Sequence, residues 1–101
     1  MSKIVFEWDP KKAATNAAKH GVTFDQAKSV FYDENALIIP DPDHSIVEER
    51  FVMMGLCANM GVLVVVHCYR AGGVSIRIIS ARRAGTIEQQ PYWKNIDEKR
   101  I

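Results

Sequence analysis

A chain of 101 residues that is 48% hydrophobic can build one core but not two, and that apolar fraction excludes general disorder. No stretch approaches the roughly 20 apolar residues of a membrane span, and the first residues lack the apolar run and cleavage site of a signal peptide. A net charge of +1 is low for a nucleic-acid binder, yet it conceals an uneven distribution.

Residues 1–22 carry four lysines against Glu7 and Asp9, a net +2, while residues 23–50 sum to −5 and residues 51–101 to +4. Between Phe51 and Ile87 lie four arginines and no carboxylate, so a basic face and an acidic face are expected behind the neutral total. The expected organisation is one domain over residues 1–101, cytoplasmic and away from membranes. Cys57 and Cys68 are expected as reduced thiols, because a chain this apolar needs no staple.

Lys3 to Glu7 reads as a short strand and Trp8-Asp9-Pro10 as a helix start. Asp9 can accept from orphan backbone N–H groups, Pro10 suits the first helical position, and Trp8 is placed to pack against Ala13. The helix is predicted to run to about His20, where Gly21 supplies a left-handed residue and Lys19 and His20 meet the negative end of the dipole. Ala13, Ala14, Ala17 and Ala18 give it a small face, leaving Lys11, Lys12, Thr15, Asn16 and Lys19 toward water. Thr23 to Gln26 is a capping box for a second helix carrying Phe24, Ala27, Val30 and Phe31 on one side. Asp33-Glu34-Asn35 stops it, Ala36 to Ile39 is a brief strand closed by Pro40, and Asp41 to Ser45 is turn chemistry. His44 stands there among carboxylates, but no other ligand sits at a metal-site spacing, and no metal or cofactor is expected.

From Val47 the period changes to two. Glu48 to Leu56, Val62 to Arg70 and Val74 to Ser80 are predicted as three strands joined by short antiparallel hairpins. On the middle strand Val62, Val64, Val66 and Cys68 point one way and Leu63, Val65, His67 and Tyr69 the other, which places it near the sheet centre and keeps His67 and Cys68 from sharing a metal. The fold class is α+β: an antiparallel sheet with two N-terminal helices and a short C-terminal helix. Thr86 and Gln89 are a possible capping box for that last helix, Pro91 is expected to disturb it, and Lys94 to Ile101 reads as a frayed polar tail.

The last strand ends in Ile76-Arg77-Ile78-Ile79-Ser80-Ala81-Arg82-Arg83. If it stayed regular, Arg77 and Arg83 would share a face about 20 Å apart and Arg82 would point away. The three meet one phosphate only if the chain turns at Ser80, which is a good N-cap. Arginine is a planar, always charged fork suited to phosphate oxygens. Metal-free RNA cleavage needs a group to help the ribose 2′-hydroxyl attack, cations for the charge on phosphorus, and an acid for the leaving oxygen. Arg50, Arg70, Arg77, Arg82 and Arg83 are the candidate cations, and Tyr69, Tyr92, His67, Glu49 and Glu88 the candidate proton-transfer groups. No zinc, phosphate-loop or dinucleotide motif competes with that reading.

Phe6-Glu7-Trp8-Asp9-Pro10, Lys19-His20-Gly21-Val22-Thr23-Phe24, Val30-Phe31-Tyr32-Asp33, Glu49-Arg50 and Ile76 to Ala84 resemble the BrnT family of toxins, in this order and over about residues 5 to 92. The resemblance implies a RelE-like fold and a ribonuclease toxin of a type II toxin–antitoxin pair that cleaves messenger RNA and inhibits translation. It further implies neutralisation by a ribbon-helix-helix antitoxin like BrnA, with operator DNA bound only through that antitoxin. It carries over onto Arg77, Arg82, Arg83, Arg50, Glu88 and Tyr92. In the reading that the arginines and the resemblance together motivate, Arg82 and Arg83 stabilise charge on phosphorus, Arg77 and Arg50 position the backbone, and Tyr92, Glu88 or His67 moves protons. Arg70, Lys19 and Tyr69 complete the expected RNA contacts. The alternative is a catalytically degenerate binding module acting with its antitoxin in an autorepressing DNA-binding complex. Gly85, Gln89 and Pro91 depart from the family pattern and are expected to weaken the final helix.

Overall fold

The computed structural model describes residues 4–41 and 49–99. Lys3, the turn around His44, Glu48 and the last two residues lie outside the described residues.

Helix α1 (Pro10–His20) starts and stops on local chemistry. Asp9 accepts from the Lys11 N–H at 2.8 Å, and Gly21, at φ 69°, donates to the Ala17 carbonyl at 2.9 Å. Helix α2 (Phe24–Lys28) opens with both bonds of the capping box, Gln26 N–H to Thr23 Oγ1 at 3.0 Å and Thr23 N–H to Gln26 Oε1 at 2.9 Å. A 3₁₀ turn, Ser29–Tyr32, follows.

The strands are β1 (Val5–Glu7), β2 (Leu37–Pro40), β3 (Phe51–Cys57), β4 (Gly61–Arg70) and β5 (Ser75–Arg83), in the spatial order β1-β5-β4-β3-β2. From β3 to β5 the expected antiparallel meander holds, and β2 adds antiparallel to β3. The sheet as a whole is mixed, because β1 lies parallel to β5 from Val5↔Ser75 to Glu7↔Arg77. Parallel partners need a long crossover, and everything between β1 and β5 supplies it.

Register separates the two faces. Met53, Leu63, Val65, Ile78 and Ala81 form the inner face and join Val22, Phe24, Ala27 and Val30 in the core. Gly55 permits a close approach there: a Cβ on it would stand 2.9 Å from Val30 Cβ and 3.2 Å from the Val30 carbonyl. The outer face carries Leu37, Ile39, Val52, Met54, Val64 and Val66. Cys57 and Cys68 are both buried and in no disulfide, on opposite faces by register.

Two details of the helices differ from expectation. Asn16 does not face water: it is buried, receives the Ala81 N–H at 3.0 Å and donates to the carbonyls of Ala81 at 2.8 Å and Val22 at 2.9 Å. β1 stops pairing at Arg77, and Asn16 satisfies the β5 edge beyond it. The last helix, α3 (Gln90–Lys99), covers most of the stretch expected to fray. Pro91 is its second residue, in the first turn where a missing N–H costs nothing. α3 is tied down by Tyr92, which donates to Asp33 Oδ2 at 2.5 Å, and by Asn95 and Lys99, each 3.4 Å from Asn35.

Candidate active site

A bulge in β5 decides where the arginines point. Pairing with β4 runs Arg83↔Leu63, Arg82↔Val64, Ala81↔Val65 and Ser80↔Val66, then skips to Ile78↔His67 and Arg77↔Cys68. Ile79 is the extra residue. Side chains alternate along a strand, so one inserted residue inverts the faces on either side of it. Arg77 and Arg82 therefore share the outer face, and Arg83 points to the inner one. The expected turn at Ser80 is absent, since strand pairing continues to Arg83. Two contacts explain why the chain accepts the bulge. Ile78 and Ala81, three apart, are both core residues, which a regular strand forbids, and Asn16 clamps Ala81 by its N–H and its carbonyl.

The β4 partners of Arg77 and Arg82 are four residues apart, which separates the two arginines by about 13 Å along the sheet. Beside Arg82 the outer face hollows into a groove of about 540 Å³. Its floor is apolar, with Val52, Met54, Val64 and Val66 from the central strands and Ile39 from β2; Asp41, Ser80, Arg82, Glu88 and Pro91 complete the lining.

Arg82 and Glu88 meet as a bidentate pair, Nη1 to Oε1 at 2.7 Å and Nη2 to Oε2 at 2.6 Å. Glu88 Oε1 also accepts the Gly85 N–H at 3.0 Å. The reach-back bond expected from Gln89 is thus made one residue earlier, by Glu88 to Gly85. Hydrogen bonds from Arg82 and then from the Gly85 N–H pull the Glu88 carboxyl down to about 2, against burial, and the Glu88 bond raises Arg82 in turn. The two side chains are 44% and 36% exposed, so the pair contributes at most about 1 kcal/mol to stability. An anion entering the groove can compete for the guanidinium.

The other expected site residues are scattered. Arg77 Nη1 lies 3.8 Å from Glu7 Oε2, and Arg83 is exposed with Nη2 3.6 Å from Met60 Sδ. Arg50 stands just before β3, with its carbonyl accepting from the Asp41 N–H at 3.0 Å and its Nε buried with no hydrogen-bond partner among the described residues. Glu49, Arg70 and Lys19 are exposed, as is Tyr69.

Two proton-transfer candidates are closed off from the groove. Tyr92 is 1% exposed and committed to Asp33, which also takes the N–H groups of Leu56 and Asn35 at 2.8 and 2.9 Å. Burial, that bond and the Asp33 charge push the Tyr92 phenol up; burial of Asp33 is outweighed by the bonds it receives, and its carboxyl is held down. His67 is fully buried on the inner face against Phe31, 4.9 Å between ring centres, with Nε2 3.3 Å from the Tyr69 hydroxyl. Burial pushes the imidazole down, only partly opposed by the Val65 carbonyl, and keeps it neutral near pH 7. Among the described residues no three His, Cys, Asp or Glu side chains gather as a metal site.

A family model described as the ribonuclease toxin BrnT of type II toxin–antitoxin systems matches residues 8–88. The chain belongs to the BrnT family. The matched span runs from Trp8, ahead of α1, to Glu88 in the groove. Among solved structures, the Brucella abortus ribonuclease toxin BrnT superposes with a TM-score of 0.63 at 26% identity, covering 85% of this chain and 100% of that one. No curated protein matches. The α+β architecture is thus that of BrnT, and the chain is a ribonuclease toxin of a type II toxin–antitoxin system, an endoribonuclease with an antitoxin as partner. Among the described residues no helix is long and apolar enough to cross a membrane.

Sequence reasoning missed the groove itself. Asp41, Ser80 and the apolar floor come together only through the register. One signal was present, the consecutive Ile78-Ile79, which breaks the alternation where the bulge sits.

Proposed function

We propose that this BrnT toxin, a single domain acting in the cytoplasm, cuts messenger RNA in the outer groove without a metal ion and so arrests translation. The observation that carries the reading is the Arg82–Glu88 pair at the edge of an apolar-floored groove. The scissile phosphate displaces Glu88 from Arg82, whose guanidinium then faces the charge that builds on phosphorus. Glu88, relieved of the bond that depresses it most, regains basicity and accepts the 2′-hydroxyl proton. The O2′–P bond forms, the P–O5′ bond breaks, and the leaving oxygen takes a proton from water, giving a 2′,3′-cyclic phosphate and a 5′-hydroxyl. Arg77, farther along the same face, positions the backbone; Arg50 and Arg70, with Tyr69, extend the contact surface. Arg83, on the inner face, holds a flanking part of the strand. Buried Tyr92 and His67 act through structure, by anchoring α3 and filling the inner face.

A ribbon-helix-helix antitoxin of the BrnA kind is the proposed neutralising partner, and operator DNA is reached only through it. A second reading is favoured by one observation: Arg82 and Arg77 are already paired with carboxylates, Glu88 and Glu7. In that reading the chain no longer cuts RNA and serves its antitoxin as a binding module. Antitoxin-free protein incubated with RNA in excess EDTA separates the two. Cleavage leaving cyclic phosphate ends supports the enzyme; intact RNA together with unimpaired growth on expression supports the module.

A further inference from the structure

Beyond the bulge lies a second hollow. It holds about 320 Å³ between α1 and the β5 edge, and its lining includes Lys11, Lys12 and Lys19 on the helix with Ile79 and Ser80 on the strand. Ser80 also lines the outer groove, so the two depressions meet at the bulge. Among the described residues no carboxylate lines the hollow, and none of the three lysines is in an ion pair.

The helix carries two of these lysines at a cost. The first turn of α1 holds no acidic residue; Lys11 and Lys12 stand there instead, where the helix dipole disfavours cations. Among the described residues nothing pairs with their charge. A polyanion running past Ser80 would.

We propose that this hollow holds phosphates of the RNA strand flanking the cut, the backbone passing from Arg82 over Ser80 onto Lys11, Lys12 and Lys19. The inference rests on reading the outer groove as the RNA-cleaving site. Lysine binds such a strand as a set of point charges whose effect appears in the salt dependence of affinity, with each single-strand phosphate contact contributing about 0.7 to the slope of log K against log salt.

The test is the affinity of antitoxin-free protein for a 2′-O-methyl RNA of about 12 nucleotides, which resists cleavage, between about 50 and 200 mM salt. The triple variant Lys11→Gln, Lys12→Gln, Lys19→Gln should lose about 2 from the slope, so that its affinity deficit is roughly 16-fold larger at about 50 mM than at about 200 mM salt. The corresponding triple change to arginine should restore both, and Lys94→Gln on α3 should change neither. Circular dichroism checks that α1 persists; if the triple variant fails to fold, Lys19→Gln alone should lose about 0.7 from the slope. An unchanged slope overturns the inference, as does an equal loss in Lys94→Gln. A glutamine triple that binds RNA normally but loses the antitoxin assigns the hollow to an acidic protein segment and also overturns it. The two readings fail separately. Wild-type protein that cuts RNA while the triple variant keeps its slope removes only the lysine track; wild-type protein that cuts nothing while the triple variant loses its slope removes only the catalytic reading.

Discussion

The two faces of the sheet handle polar side chains in opposite ways. On the inner face His67 is fully buried, and its neighbours Phe31 and Phe51 leave it no route to a ligand. On the outer face Arg82 and Glu88 stay more than a third exposed at the edge of a groove. The buried inner polar groups close backbone gaps or fill space, and the outer pair remains exchangeable. What divides them is the single extra residue Ile79: Arg82 and Arg83 are sequence neighbours with the same chemistry, yet only Arg82 reaches the groove.

The contrast can be broken most severely at Asn16. Asn16→Ala leaves the Ala81 N–H and two carbonyls without partners in a buried site, and should cost about 3 kcal/mol, lowering Tm by roughly 12 to 24 °C for a domain of this size. Thermal unfolding measures it, and a loss below about 1 kcal/mol would contradict the clamp. Gly55→Ala comes next. Its Cβ collides with Val30 on the inner face, and overpacking of this kind costs about 1 to 3 kcal/mol, read by urea unfolding. Tyr92→Phe removes a donor from the Asp33 carboxylate while two backbone donors remain; about 1.5 kcal/mol is expected, with α3 amides exchanging faster with solvent.

The smallest effect is the pH dependence of His67. Its folded-state pKa lies below the ordinary value of 6.5, so below that pH the unfolded chain binds a proton that the folded chain does not. Stability should hold above about pH 6.5 and decline as pH falls through that range. His67→Phe should flatten the decline, and an unchanged profile would place the titration elsewhere. Glu88 acts in a more acidic window. Its carboxyl is depressed from 4.5 to about 2, so its contribution is present above about 4.5 and fades toward 2, leaving the pair with Arg82 charged at physiological pH.

Much of the fold was legible in the sequence because local chemistry decides it. The Asp9 cap, the Thr23–Gln26 box, Gly21 and the two-sided apolar pattern of β4 each have one structural outcome. The misses share a cause in long-range geometry. No local signal states that β1 pairs parallel with β5, that it stops at Arg77, or that Asn16 must then fill the gap. α3 was misread because Pro91 was placed in a helix interior; its true position depends on Glu88 reaching Gly85, and so on the same carboxylate that holds Arg82. At the site, the arginines were legible as candidate cations in the sequence. Their division between faces was not, since a period of two is blind to a bulge.

That division is the central claim, and it is tested most directly by comparing Arg82→Ala with Arg83→Ala in the EDTA cleavage assay, each purified free of antitoxin and matched in thermal stability. Arg82→Ala should lose about 100- to 1000-fold in kcat, or about 2.7 to 4 kcal/mol of transition-state stabilisation, while Arg83→Ala should lose far less and mainly in KM. Equal losses in kcat, or a greater loss in Arg83→Ala, would show that the outer face is not where the phosphate is cut.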